Sequence, residues 1–190
     1  MVIETSRFEN AAIIQWGAVL CASLGAALWD LKSRRIPNVI TLPLFAAGLV
    51  QAAMFSGWEG LGSSVAGAIL LALPYAVLFV FAGGGAGDAK MMAGIGAWLG
   101  LKSGVTALLF VSIFGIMVAL LAAANKKKFL AAVDNIRGII FSVFVFAGTR
   151  GRVNTVKEIA CGIEGQKLTV PYGPAIFMGV VSAAVYTWMF

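Results

Sequence analysis

Gly83-Gly84-Gly85-Ala86-Gly87-Asp88-Ala89-Lys90 lies between two strongly apolar runs and sets a carboxylate where a membrane-embedded chain is expected to avoid one. Glycine admits backbone conformations and close approaches closed to larger residues, so another chain can lie directly on this loop. Ionisable groups at membrane depth are costly and by default mark a function. The plainer explanation is that Asp88 caps the next helix from a cytoplasmic turn, since aspartate is a favoured N-cap.

Composition supports the membrane setting. Of 190 residues, 61% are hydrophobic and only 12% charged, against about 25% charged in soluble domains. The chain reads as a single polytopic membrane domain over 1–190. It holds no histidine, which excludes Ser-His-Asp triads and His-ligated zinc. Cys21 and Cys161 are the two cysteines and make no CxxC pair, so no thiolate framework for a metal exists. Glu4, Arg7 and Glu9 precede the first apolar run, unlike the cationic start of a cleaved signal peptide. Residue 1 onward is therefore expected to be mature protein. The net charge of +6 is distributed as membrane topology requires, not as a nucleic-acid surface.

A span needs about 20 apolar residues. Residues 11–29 supply the first and end at Trp29-Asp30. A basic link, Leu31 to Asn38, follows, with Pro37 suited to a first helical turn. Residues 37–55 make the second span, closed by Ser56-Gly57-Trp58-Glu59-Gly60, and 61–82 the third, with a kink expected at Pro74. Residues 89–101 form a short fourth run of about 20 Å as a helix, less than the hydrocarbon thickness unless it begins nearer Gly87. Lys102-Ser103-Gly104 is expected to turn the chain into a fifth span over 104–124. At residues 129–148 and just before them, Lys127, Asp134, Asn135, Arg137, Gly138 and Ser142 fall on one side of a helical wheel, as an interfacial helix requires. A polar segment over 149–170 precedes the last span, 171–190.

The fold class is thus an all-α membrane helix bundle of about six transmembrane helices, plus one cytoplasmic interfacial helix. With the N-terminus outside and 129–148 on the inner surface, lysines and arginines divide 12 inside against 2 outside. If 129–148 crosses, the division weakens to 8 against 6. The six-span arrangement is preferred.

Among eight acidic residues, Asp30 and Asp88 stand apart. Glu4, Glu9 and Glu59 fall in outer segments, Glu158 and Glu164 in the polar inner loop, and Asp134 pairs with Arg137 at i,i+3. Asp30 ends the first span and Asp88 opens the fourth, both at the cytoplasmic side. Two adjacent carboxylates share a proton and can activate water for amide hydrolysis. Helix ends suggest Asp88 as the ionised base, at a positive N-terminus, and Asp30 as the protonated acid, at a negative C-terminus. Structural capping, or a proton-coupled carrier using the same pair, also fits these positions.

Asp30 followed by Arg35-Ile36-Pro37-Asn38, and later Gly85-Ala86-Gly87-Asp88-Ala89-Lys90, resembles the type IV prepilin peptidases. Pro171-Tyr172-Gly173-Pro174 is similar to that family's C-terminal pattern, and the small size to its Flp/Tad branch. The resemblance covers roughly residues 11–190. It implies an aspartic endopeptidase of the bacterial inner membrane, multi-pass, with its site at the cytoplasmic face. Asp30 and Asp88 would be the catalytic pair. Gly85 and Gly87 would admit the substrate backbone, and Lys90, Arg35, Asn38, Pro171 and Gly173 would bind substrate or support the motifs. Lys90, Arg35 and Asn38 have an equally plain role as interface anchors or helix starts. The implied partners are prepilins, the lipid bilayer and components of a pilus or secretion assembly, with no nucleic acid, metal or cofactor. Larger members carry paired cysteines in a cytoplasmic domain and also methylate the new N-terminus with S-adenosylmethionine. This chain shows no CxxC, so proteolysis without methylation is expected. A small proton-coupled carrier is the alternative, although no inverted repeat supports it; a scaffold without chemistry is a third.

Overall fold

The structure, a computed structural model, describes residues 2–82, 85–123 and 172–189. The expected interfacial helix over 129–148, Asp134, Glu158, Glu164 and Pro171 lie outside the described residues. Four helices carry the described chain: α1 (Val2–Ser33), α2 (Asn38–Ala82), α3 (Ala86–Ala123) and α4 (Gly173–Met189). Three of them are long and apolar enough to cross a membrane, with their candidate spans at Ala11–Ser33, Asn38–Val80 and Ala86–Ala119.

Two glycines break the long helices. Gly57 (φ 58°, ψ −145°) interrupts α2 and Gly100 (φ 65°, ψ −165°) interrupts α3. These dihedrals lie in a region that side chains with a Cβ scarcely enter. At Gly57 the chain folds back: Gly48 lies against Ala97 and Trp98, and Gly67 against Gly96 and Gly100. In an unbroken helix positions 48 and 67 would stand about 28 Å apart and could not meet the same stretch of α3. The same holds for α3. Tyr172 touches Gly115 and lies within electrostatic reach of Asp88, yet 88 and 115 would be about 40 Å apart in a straight helix.

The turn expected at Lys102-Ser103-Gly104 is therefore at Gly100, and residues 102–104 are helical. Polarity suggested the later position, but the backbone reverses where a Cβ is missing. Ser63 Oγ accepts from the Leu101 amide at 3.2 Å, satisfying a donor that the break leaves free. The helix continues through Pro74, where a kink was expected, and Gly57 is the position inside α2 with non-helical dihedrals. Pro37 precedes α2, its carbonyl accepting from the Ile40 and Thr41 amides at 3.1 and 3.4 Å.

The run before Gly100 forms the centre. Met91, Met92 and Ile95 are fully buried, with Ala97 and Leu99 nearly so. Its small residues admit close neighbours, as helix contacts in membranes require. Gly94 faces Leu44, and Gly96 meets the backbone of Gly67 and Ala68. The segment starts at Ala86, earlier than the apolar run suggested. Enclosed by protein, it has no need to match the hydrocarbon thickness, and its ends are met by protein groups. The outward faces are rich in exposed Leu, Ile, Val and Met.

Candidate active site

Contacts along the helices place residues 30–38, 86–90 and 172–173 at one end of the bundle, and Gly57 and Gly100 at the other. Residue pairs 36 with 87, 44 with 94 and 48 with 97 rise together, so the first half of α2 runs parallel to the first half of α3.

The link after α1 is built residue by residue. Arg34 adopts φ 52°, and its amide donates to the Asp30 carbonyl at 2.7 Å, ending the helix in a left-handed cap. Ser33 Oγ donates to the Trp29 carbonyl at 2.9 Å, so the last turn is tied down twice. Ile36 then turns inward, buried, with Gly87 packed against it: a Cβ on Gly87 would lie 3.0 Å from Ile36 Cβ and 3.1 Å from its carbonyl oxygen. Two residues on, Asn38 Oδ1 accepts from Lys90 Nζ at 2.9 Å. The Arg35-Ile36-Pro37-Asn38 stretch thus lies directly on the Gly85-to-Lys90 stretch. Arg35 is exposed, and among the described residues nothing ties its side chain to either aspartate.

Asp30 is 4% exposed, facing inward from the last turn of α1. Its Oδ2 accepts the Gly173 amide at 2.8 Å. Asp88 sits half-buried in the first turn of α3, its own amide donating to the Gly85 carbonyl at 3.2 Å. Gly85 is tight against its carboxylate, since a Cβ there would stand 2.7 Å from Oδ2. The two carboxylates lie close enough to repel one another. The helix-end effect that suggested Asp30 as the acid meets a second helix end in the fold. Asp30 meets the negative end of α1 and the positive end of α4 together, so the two effects oppose.

Two further residues surround the pair and were not singled out from the sequence. Tyr75 of α2 and Tyr172 stack edge to face, with ring centroids 5.8 Å apart and planes at 62°, and their hydroxyls are 3.5 Å apart. Both lie within electrostatic reach of Asp88. The available signal was a hydroxyl-bearing ring in an apolar segment, and in Tyr172 a place inside Pro171-Tyr172-Gly173-Pro174. Chemically, the site offers two carboxylates, one fixed by a backbone donor, beside two phenol groups in a protein-enclosed end of a helix bundle. Among the described residues no group of three potential metal-ligating side chains occurs.

Comparison with known proteins agrees with the motifs. The chain is 34% identical over 124 residues to a prepilin leader peptidase/N-methyltransferase of Neisseria gonorrhoeae, covering 60% of this chain and 43% of that protein. It is 35% identical over 113 residues to the protein of that name from Dickeya chrysanthemi, covering 55% and 40%. The protein of that name from Aeromonas salmonicida is 36% identical over 110 residues, covering 52% and 38%. The chain thus spans about two fifths of the length of these curated relatives. No solved structure matches it. The model of the type IV leader peptidase family matches residues 17–120, more than half the chain and both aspartates within it, and the chain belongs to that family.

Proposed function

We propose that this chain is an aspartic endopeptidase that removes the short basic leader from prepilins, with Asp30 and Asp88 as the catalytic pair. The observation that carries it is the placement of these two carboxylates at one end of an apolar bundle, Asp30 on the Gly173 amide and Asp88 next to the Gly87 contact with Ile36. One carboxylate, ionised, takes a proton from water as the oxygen attacks the scissile carbonyl. The other, protonated, gives its proton to the carbonyl oxygen, and a tetrahedral diol forms. Collapse expels the amine, which takes the proton first drawn from water, while the other carboxylate takes back a diol hydroxyl proton as the carbonyl re-forms, and the starting protonation returns.

In this reading the protein crosses the bacterial inner membrane six times, as α1, the halves of α2 and α3, and α4. The N-terminus is outside and the site at the cytoplasmic face, where a basic leader is held while the apolar prepilin helix stays in the bilayer. Folding back at Gly57 and Gly100 supports this count, because each long helix exceeds one bilayer thickness. We assign the substrates to Flp/Tad-type pilins and associate the protein with their pilus or secretion assembly. Gly85, Gly87, Lys90, Arg35, Asn38 and Pro171 act as substrate contacts or motif support, and Gly173 as motif support at Asp30. The methyltransferase named in the relatives is not carried over, since these residues contain no CxxC pair.

Purified protein with a leader-bearing pilin peptide tests the reading. Asp30→Asn and Asp88→Asn should each reduce cleavage by at least about 10²–10⁴-fold with the thermal midpoint retained. Retained cleavage in either variant would refute it. Proton flux in liposomes without any cleavage would favour a carrier.

A further inference from the structure

The two aspartates stand on helices that barely meet. α1 touches α2 and α3 sparingly, whereas α4 packs broadly on both α1 and α3. Adjacent residues at the start of α4 face these different partners. Gly173 donates its buried amide to Asp30 Oδ2 at 2.8 Å. There is no room for a side chain at that position: a Cβ would lie 2.9 Å from Asp30 Cβ and 3.0 Å from Ala27 Cα. Tyr172 points the other way, its ring packed edge to face with that of Tyr75, its hydroxyl 3.5 Å from the Tyr75 hydroxyl, and its tip against Gly115. Two turns further along, Gly179 lies on the backbone of Val111, holding the rest of α4 to α3.

We propose that the Tyr172-Gly173 step is a positioning element that sets the separation of the two aspartates, Gly173 holding Asp30 while Tyr172 seats the step on the α2–α3 body that carries Asp88. The proposal rests on the catalytic reading of the aspartates and adds to it. Engaging Oδ2 through a backbone amide fixes the carboxylate plane and leaves Oδ1 for the water or the shared proton. A glycine is required because the donor must come from the main chain at van der Waals distance from the α1 backbone. Neither Tyr172 nor Gly173 touches the reacting atoms in this scheme; both act through the carboxylates.

The test compares Gly173→Ala and Tyr172→Phe with the parent in leader-peptide cleavage, alongside Asp30→Asn. A misplacement of about 1 Å costs on the order of 10²-fold in rate, so Gly173→Ala should lose about that much in kcat. KM should stay within about twofold, because binding of the uncleaved peptide does not depend on the carboxylate spacing. Affinity for a leader peptide with a statine at the scissile position should fall in parallel with kcat, since that hydroxyl is gripped by both carboxylates. Tyr172→Phe keeps the ring contact and loses the hydroxyl pair, with a loss of about two- to fivefold in kcat and a parallel fall in statine affinity. A purely structural role would instead lower the thermal midpoint and leave kcat per folded molecule unchanged, which would overturn the proposal. Should Gly173→Ala fail to fold, Tyr172→Phe decides, and parent-like kcat and statine affinity in that variant would also overturn it. If Asp30→Asn is inactive while both positioning variants behave as the parent, only the positioning role falls. If Asp30→Asn still cleaves, the catalytic reading beneath it falls as well.

Discussion

Lys90 Nζ donates to Asn38 Oδ1 at 2.9 Å, joining the link after α1 to the first turns of α3 across 52 positions of sequence. The pair is exposed, so water competes with it and its net worth is small. Lys90→Met and Asn38→Ala should each cost under about 1 kcal/mol of stability. Their double mutant should cost less than the sum of the two, because the second change has nothing left to remove. Chemical unfolding of the four proteins in micelles measures this coupling, and strict additivity would show that the contact carries no energy.

Gly57 and Gly100 share a backbone conformation but not surroundings. A Cβ at Gly57 meets nothing within 4 Å, whereas one at Gly100 would stand 2.8 Å from Ser63 Oγ. Gly57→Ala should therefore cost about 1–3 kcal/mol from backbone strain alone. Gly100→Ala should cost more, since Ser63 must also give up its hydrogen bond to the Leu101 amide. Thermal unfolding of the two variants ranks them, and a larger loss at Gly57 would contradict the packing at Gly100.

Gly96 and Gly67 bring two helix backbones into contact, and a Cβ on Gly96 would overlap the Gly67 carbonyl group. Gly96→Ala is expected to destabilise by about 1–3 kcal/mol through overpacking. Because this contact lies at the far end from Asp88, folded Gly96→Ala should retain peptide cleavage. Unfolding midpoints and cleavage per folded molecule separate the two effects.

Ser64 Oγ donates to the Ala97 carbonyl inside the bundle. Hydrogen bonds between membrane helices average about 0.6 kcal/mol and reach about 1.7. Ser64→Ala should lose an amount in that range, without change in KM. A loss of several kcal/mol would mean that Ser64 supports more than this one bond.

The apolar segments around α1, α2, α3 and α4 were legible because burial in a bilayer depends on summed hydrophobicity, a local property of each stretch. The first span was underestimated at its end: α1 continues to Ser33 because Arg34 in the left-handed region, not Trp29, terminates it. The turn near Lys102 was placed by polarity, and it lies at Gly100, where the chain needed a conformation that only glycine supplies. Residues 129–148, assigned to the inner surface from charge, fall outside the described residues.

At the candidate site, the sequence alone determined that Asp30 ends one apolar run beside a basic link and that Asp88 opens another after a glycine-rich stretch. Only the tertiary structure decided that they share a place, through Ile36 on Gly87 and through the folding back of α2 and α3. It also decided that the Gly173 amide serves Asp30 and that Tyr75 meets Tyr172. The physical reason is that hydrophobicity and charge belong to each residue wherever it goes. A backbone donor, a missing Cβ at a crossing or a pair of distant hydroxyls acquires meaning only from what the fold sets opposite it.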